Sequence, residues 1–136
     1  MGNLGSILHV ALSLLVAIFL GAEGARAQQT PRIVLRSGES ADLLNVFNIV
    51  NCRSVAIGSP EVEVLDGPPE ISLTIKEQPI VPRAYSCANP VPGGKVVATA
   101  RGVDVPKEGK LTFRVKYNGK TGERSWGYVY NVSLFP

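Results

Sequence analysis

The side chains best suited to covalent chemistry in this sequence are two cysteines, Cys52 and Cys87, and the 136-residue chain has no others. Neither belongs to a C-x-x-C motif and neither has a histidine nearby that would lower a thiol pKa. The pair therefore reads as a structural disulfide, with two free thiols as the alternative. Closing a loop of this length, about 35 residues, stabilises a fold by roughly 3–4 kcal/mol in the chain-entropy description. The one histidine, His9, falls inside an apolar N-terminal run. The rest of the chain thus offers no Ser-His-Asp or Cys-His pair, no His-ligated zinc and not the commonest general base. "PGGK" lacks the spacing of a phosphate-binding loop. Glu61 and Glu63 share one face of a strand, about 7 Å apart by strand rise. Paired carboxylates can hydrolyse glycosides, yet Glu alternating with Val is also how a half-buried strand faces water. These residues predict a protein that is not an enzyme, with no catalytic residues, no metal set and no cofactor.

The elements that carry these residues are strands. "RIVLR" (32–36) is a short β-type segment closed by the turn "SGES". "ADLLNVFNIVNC" mixes two periods. Leu43, Val46, Phe47 and Val50 fit a helix, while Leu44, Val46, Asn48 and Val50 fit a strand, and the β-rich remainder favours the strand. "EVEVLDGPPE" predicts a strand over 61–65 with Val62 and Val64 inward, stopped by two prolines. "ISLTIKE" turns Ile71, Leu73 and Ile75 inward. "QPIVPRAYSCANPVPGG" reads as an extended Pro-rich connection pinned at Cys87, and "KVVATARGV" as a further strand.

The last 27 residues, "KLTFRVKYNGKTGERSWGYVYNVSLFP", form a ribbon. Leu111, Phe113, Val115 and Tyr117 line one face of its first strand. Trp126, Tyr128, Tyr130, Val132 and Leu134 line one face of the return, and Asn118-Gly119 opens the turn between them. This stripe is expected to be mostly core, with an exposed aromatic row for sugar or peptide as the competing reading. Asn131-Val132-Ser133 matches a glycosylation acceptor but falls in the middle of the return strand.

The N-terminus supplies an address. "ILHVALSLLVAIFLGA", from Ile7 to Ala22, is slightly shorter than the about 20 residues of a transmembrane helix. Ala25-Arg26-Ala27 has the form a signal peptidase reads, so 1–27 is expected to be a cleaved signal peptide and 28–136 a single domain. An uncleaved anchor is the alternative. The whole chain carries a net charge of +3. The leader holds one Glu and one Arg, so the remainder keeps the same balance. Charge this small and scattered does not point to nucleic acid. Two cysteines in a small exported domain agree with an oxidising compartment, and secretion or the periplasm is the expected location.

Seven or eight short strands spaced by turns predict an all-β sandwich or small barrel. The progression "PEVEVLDGPPEISL", "GGKVVATA", "GKLTFRVKYNGKTGERSWGYVYNVSL" resembles the immunoglobulin-like and cadherin-like repeats of exported bacterial proteins over about Pro60 to Leu134. The resemblance implies an immunoglobulin-like antiparallel β-sandwich of about seven strands. It does not carry calcium with it, because Asp42, Asp66 and Asp104 are isolated and form no D-x-D loop. Trp126 also lies after Cys87, whereas antibody-type domains place a Trp between their two cysteines.

The function expected from these features is a non-catalytic binding or structural module of the bacterial envelope, contacting an envelope protein or a cell-surface polymer. A secreted inhibitor of an enzyme is the alternative. The segment "NGKTGERS", with Lys120, Glu123 and Arg124, is the possible contact loop.

Overall fold

A computed structural model describes residues 29–136, and the expected leader at 1–27 lies outside the described residues. The described chain is all-β apart from one 3-10 turn. Its strands are β1 (Arg32–Arg36), β2 (Ser40–Phe47), β3 (Ile49–Val50), β4 (Arg53–Ser54), β5 (Glu61–Asp66), β6 (Ile71–Ile80), β7 (Val91–Ala100), β8 (Lys107–Gly119) and β9 (Gly122–Phe135). They form a four-stranded sheet, β1-β9-β8-β5, a three-stranded sheet, β2-β7-β6, and the small hairpin β3-β4. The expected all-antiparallel arrangement needs one correction: β1 runs parallel to β9, which makes the larger sheet mixed. The reason is topological, since β1 and β9 are distant in sequence and no hairpin fixes their direction.

The two large sheets share one core. Leu111, Phe113, Val115, Val132 and Leu134 of the first sheet join Val46, Val96, Ala98 and Ala100 of the second, all without solvent exposure. The alternation read from the ribbon is thus an inward face at Leu111, Phe113, Val115, Val132 and Leu134, but the expected burial fails at Trp126, which lies beyond the reach of β1 and is exposed. Small Ala98 and Ala100 on the middle strand β7 leave volume for large Phe113 and Leu111 in the same cluster. Phe113 also stacks on Tyr128 and Tyr130 of β9, at 5.3 and 5.8 Å between centroids.

The mixed periodicity of the second segment has a structural cause. β2 is a strand, and its register against β7 shifts between Asp42 and Leu44, leaving Leu43 as a bulge residue. A bulge reverses which parity faces inward. Leu43 and Leu44 are therefore both partly buried, and the sequence imitates a helical spacing. The Tyr130 hydroxyl donates to the carbonyl of this bulge residue at 3.2 Å across the two sheets.

Three other expectations are corrected. Val64 of β5 is exposed rather than inward, because β5 is an edge strand with its own register shift just beyond Val64. The Pro-rich segment is not wholly a connection, since β6 and β7 stay paired through Pro79↔Pro92 to Ile80↔Val91. Directly opposed residues exchange either both N–H···O bonds or neither, and two prolines facing each other can only be the second kind. The turn of the last ribbon falls at Lys120-Thr121, two residues later than Asn118-Gly119. Asn118 pairs with Glu123 and Gly119 with Gly122, and it is Gly122 that takes positive φ.

Gly119 serves close approach instead. The segment after β4 lies along the end of β8, with Ile57 N–H donating to the Asn118 carbonyl and Lys120 N–H to the Val55 carbonyl. A Cβ at Gly119 would stand 2.7 Å from Asn48 Nδ2 and 3.2 Å from the Val55 carbonyl oxygen.

Candidate binding groove

The Cys52–Cys87 disulfide forms, with 5.5 Å between the Cα atoms. It ties the tip of the β3-β4 hairpin to the segment that follows the 3-10 turn Arg83–Tyr85. At the hairpin tip Asn51 and Cys52 both have positive φ, the backbone of a two-residue primed turn. Asn tolerates that conformation, but Cys gains nothing from it locally. The bridge supplies the constraint, by fixing Cys52 against the rest of the molecule.

Beside the bridge lies a groove of about 680 Å³. It is lined by Phe47 at the end of β2, Tyr117 near the end of β8, and Tyr85, Trp126 and Tyr128. Phe47 and Tyr85 meet edge to face at 5.7 Å. Trp126 is 59% exposed and Tyr85 66%, so large aromatic faces stand open to solvent. The amides of Asn45, Asn48 and Asn51 line the same groove. Among the described residues no side-chain hydrogen bond engages these three amides, which leaves them their donors and acceptors.

The phenols of the groove are held neutral. Burial, and next the neighbouring Tyr128 phenol, raise the Tyr117 pKa far above its ordinary 10. Burial also raises Tyr128 and Tyr130. The one charged side chain in the lining is Arg124, which lies directly opposite Tyr117 in the β8-β9 ladder and on the Trp126 face. A second cleft of about 610 Å³ adjoins it across Phe47, Asn48 and Tyr117, lined by Ala56, Pro60, Pro79, Pro90 and Pro92 among others.

The residues singled out from the sequence are not gathered in one place. Lys120 sits in the two-residue turn, while Glu123 and Arg124 belong to β9 and, as neighbours on a strand, point to opposite faces. The expected contact loop is therefore mostly ladder, and only Arg124 of the three lines the groove. Glu61 and Glu63 lie on edge strand β5. Glu63 pairs with Arg114 at 2.7 Å and Lys116 at 3.5 Å. The hydrogen bond from Arg114 holds the Glu63 carboxyl below its ordinary range. Asp42 pairs with Lys95 at 3.2 Å. Among the described residues no group of three or more His, Cys, Asp or Glu could hold a metal ion. No helix among them is long and apolar enough to cross a membrane. Ser133 of the acceptor pattern is buried and takes a hydrogen bond from Arg32 at 2.7 Å.

The sequence reading took the stripe of Tyr117, Trp126 and Tyr128 as mostly core, with an exposed aromatic row as the competing reading, and gave Asn45, Asn48, Asn51 and Tyr85 no part in a site. The available signal was the cluster of Asn around Cys52, together with a Tyr two positions before Cys87. A disulfide between the two cysteines draws Asn51 and Tyr85, their near neighbours in sequence, toward each other.

What fold and groove define is a class: an all-β, disulfide-pinned protein with an open aromatic groove beside the bridge. No protein-family model matches the chain, and no curated protein matches it significantly.

Proposed function

We propose that this chain is an exported, non-catalytic binding module of the bacterial envelope, built on an immunoglobulin-like β-sandwich and released by cleavage after Ala27. The strand order supports the fold assignment. The hairpins β6-β7 and β8-β9 lie in different sheets, and the chain crosses between the two large sheets at β1 to β2, β2 to β5, β5 to β6 and β7 to β8. Such crossings support a Greek-key reading of the immunoglobulin kind. The disulfide is compatible with export. The observation that carries the functional reading is the groove: Trp126 and Tyr85 are left open beside a covalent bridge that holds their surroundings rigid. Exposed aromatics on a pre-ordered surface favour binding, because little side-chain entropy is lost on contact.

The inhibitor reading has less support. Inhibition by loop insertion needs a projecting loop, and the segment around Lys120 is a two-residue turn at the end of a paired ribbon.

Two measurements test the proposal. Expression of the full chain in a bacterial host is expected to yield a protein beginning at Gln28 in the periplasm or the medium, read by intact mass. Recovery of only the uncleaved chain from the cytoplasm would refute export. The oxidised protein on a resin is then expected to retain an envelope component, and to lose it after reduction and alkylation.

A further inference from the structure

We infer that the groove beside the disulfide binds an oligosaccharide carrying a carboxylate, with a sugar ring on Trp126, hydroxyls on the asparagine amides and the carboxylate on Arg124. The inference rests on the binding-module reading and adds ligand and site to it.

Three properties of the lining select this ligand. The first is the open aromatic surface. Trp126 and Tyr85 present flat faces rather than a deep apolar pocket. A pyranose ring has an apolar C–H face that can lie on such a surface, whereas a peptide side chain anchors best in an enclosed, desolvated pocket. The second is the kind of polar group. Asn45, Asn48 and Asn51 each offer an amide donor and a carbonyl acceptor within one groove. A sugar hydroxyl needs both at once, since it donates one hydrogen bond and accepts others. A hydrophobic partner would leave these amides unmatched, at a cost. The third is charge. Arg124 is the sole ionised side chain in the lining, no carboxylate accompanies it, and it forms no salt bridge with a described residue. A guanidinium in that setting prefers a carboxylate, which it can hold with two parallel hydrogen bonds. The volume of about 680 Å³ lies within the common range of ligand clefts, roughly 300–1,000 Å³.

The chain itself supplies the reporter. Trp126 is its one tryptophan, so tryptophan emission, excited to the red of tyrosine absorption, reports on the groove. The protein, purified oxidised after expression of the full chain, is titrated with a panel of uronic-acid oligosaccharides and with their neutral counterparts. The expected result is a saturable blue shift for an acidic oligomer, with the neutral counterpart binding about tenfold or more weakly. Arg124→Gln is expected to bring the acidic oligomer down to the neutral one. Asn48→Ala is expected to weaken both, read by Trp126 emission, with circular dichroism confirming that each variant is folded. Equal affinity for acidic and neutral oligomers would overturn the assignment of Arg124. A blue shift with a polyproline peptide or a single-stranded oligonucleotide, and none with any sugar up to millimolar concentration, would overturn the ligand class. If no sugar binds but the resin still retains an envelope protein, and Trp126→Ala abolishes retention, the saccharide inference fails and the binding-module reading stands. If neither sugar nor envelope component is retained, both fail.

Discussion

The apolar stripe of β9 has two halves with opposite fates. Val132 and Leu134 have no exposure at all, while Trp126, six and eight positions earlier on the same face, is 59% exposed. The alternation is identical in both halves, and so is the pairing with β8, which runs unbroken from Lys107↔Leu134 to Gly119↔Gly122. Two things differ: β1 flanks β9 only at 131–135, so the Trp126 half is an open edge beside buried Val115 of β8, and the opposite layer changes along the strand. At the buried end β2, β7 and β6 of the opposite sheet complete the core. At the other end β2 stops at Phe47, and the chain turns into the β3-β4 hairpin and the disulfide. An inward-facing pattern buries a residue only where a second layer stands opposite it. Where that layer is replaced by a pinned loop, the same pattern makes a groove.

This contrast can be broken most severely at its buried end. Phe113→Ala removes a side chain with no exposure that stacks on two tyrosines, and should cost about 3–5 kcal/mol in chemical denaturation. A loss below about 1 kcal/mol would mean that the two sheets do not share the core described above.

Next in size is the bridge. Replacing both cysteines by alanine should cost about 3–4 kcal/mol by loop entropy. It should also raise hydrogen exchange at 49–54 and 83–88 more than in β7 or β8. Uniform loss of protection would show that the bridge stabilises the whole fold without shaping the groove in particular.

Tyr130→Phe isolates the cross-sheet hydrogen bond to the Leu43 carbonyl. A loss of about 0.5–1.5 kcal/mol is expected. An unchanged midpoint would mean that water replaces the tyrosine at the bulge.

The phenols give a pH test of the same region. Tyr117, Tyr128 and Tyr130 have folded-state pKa values above the ordinary 10, so the fold favours their neutral forms. Their contribution is complete below the unfolded value of about 10 and is lost as pH rises beyond it. The urea midpoint should therefore fall above pH 10. On the acid side the sign reverses. Glu63 and Glu70 are held below 4.5 chiefly by hydrogen bonds from Arg114 and Lys107, and that contribution disappears as pH falls below this value. A midpoint that stays flat from pH 9 to 12 would contradict the burial of the phenols.

The smallest effect belongs to the open end. Trp126→Ala should change stability by no more than about 0.5 kcal/mol, because an exposed side chain has little packing to lose. A loss comparable to that of Phe113 would erase the distinction between the two halves and remove the case for a groove.

Much of this molecule was legible in its sequence, for physical reasons that are local. Period-two alternation placed Leu111, Phe113, Val115, Val132 and Leu134 on inward faces, because side-chain direction on a strand depends only on parity. The two cysteines, with no other partner available, pointed to their own bridge. The absence of histidine after His9 is a property of composition alone. What parity cannot report is where a ladder slips or where the opposite layer ends. The bulge at Leu43 disguised β2 as an ambiguous segment, and Asn118-Gly119, a strong turn signal, was drawn into the strand because the Val55–Ile57 segment pairs against it. Only the tertiary structure could decide that Trp126 would be left open and that Asn45, Asn48, Asn51, Tyr85 and Arg124 would meet around it. They come from segments far apart in sequence, and what joins them is the register of two sheets and one covalent bridge, neither of which any local pattern encodes.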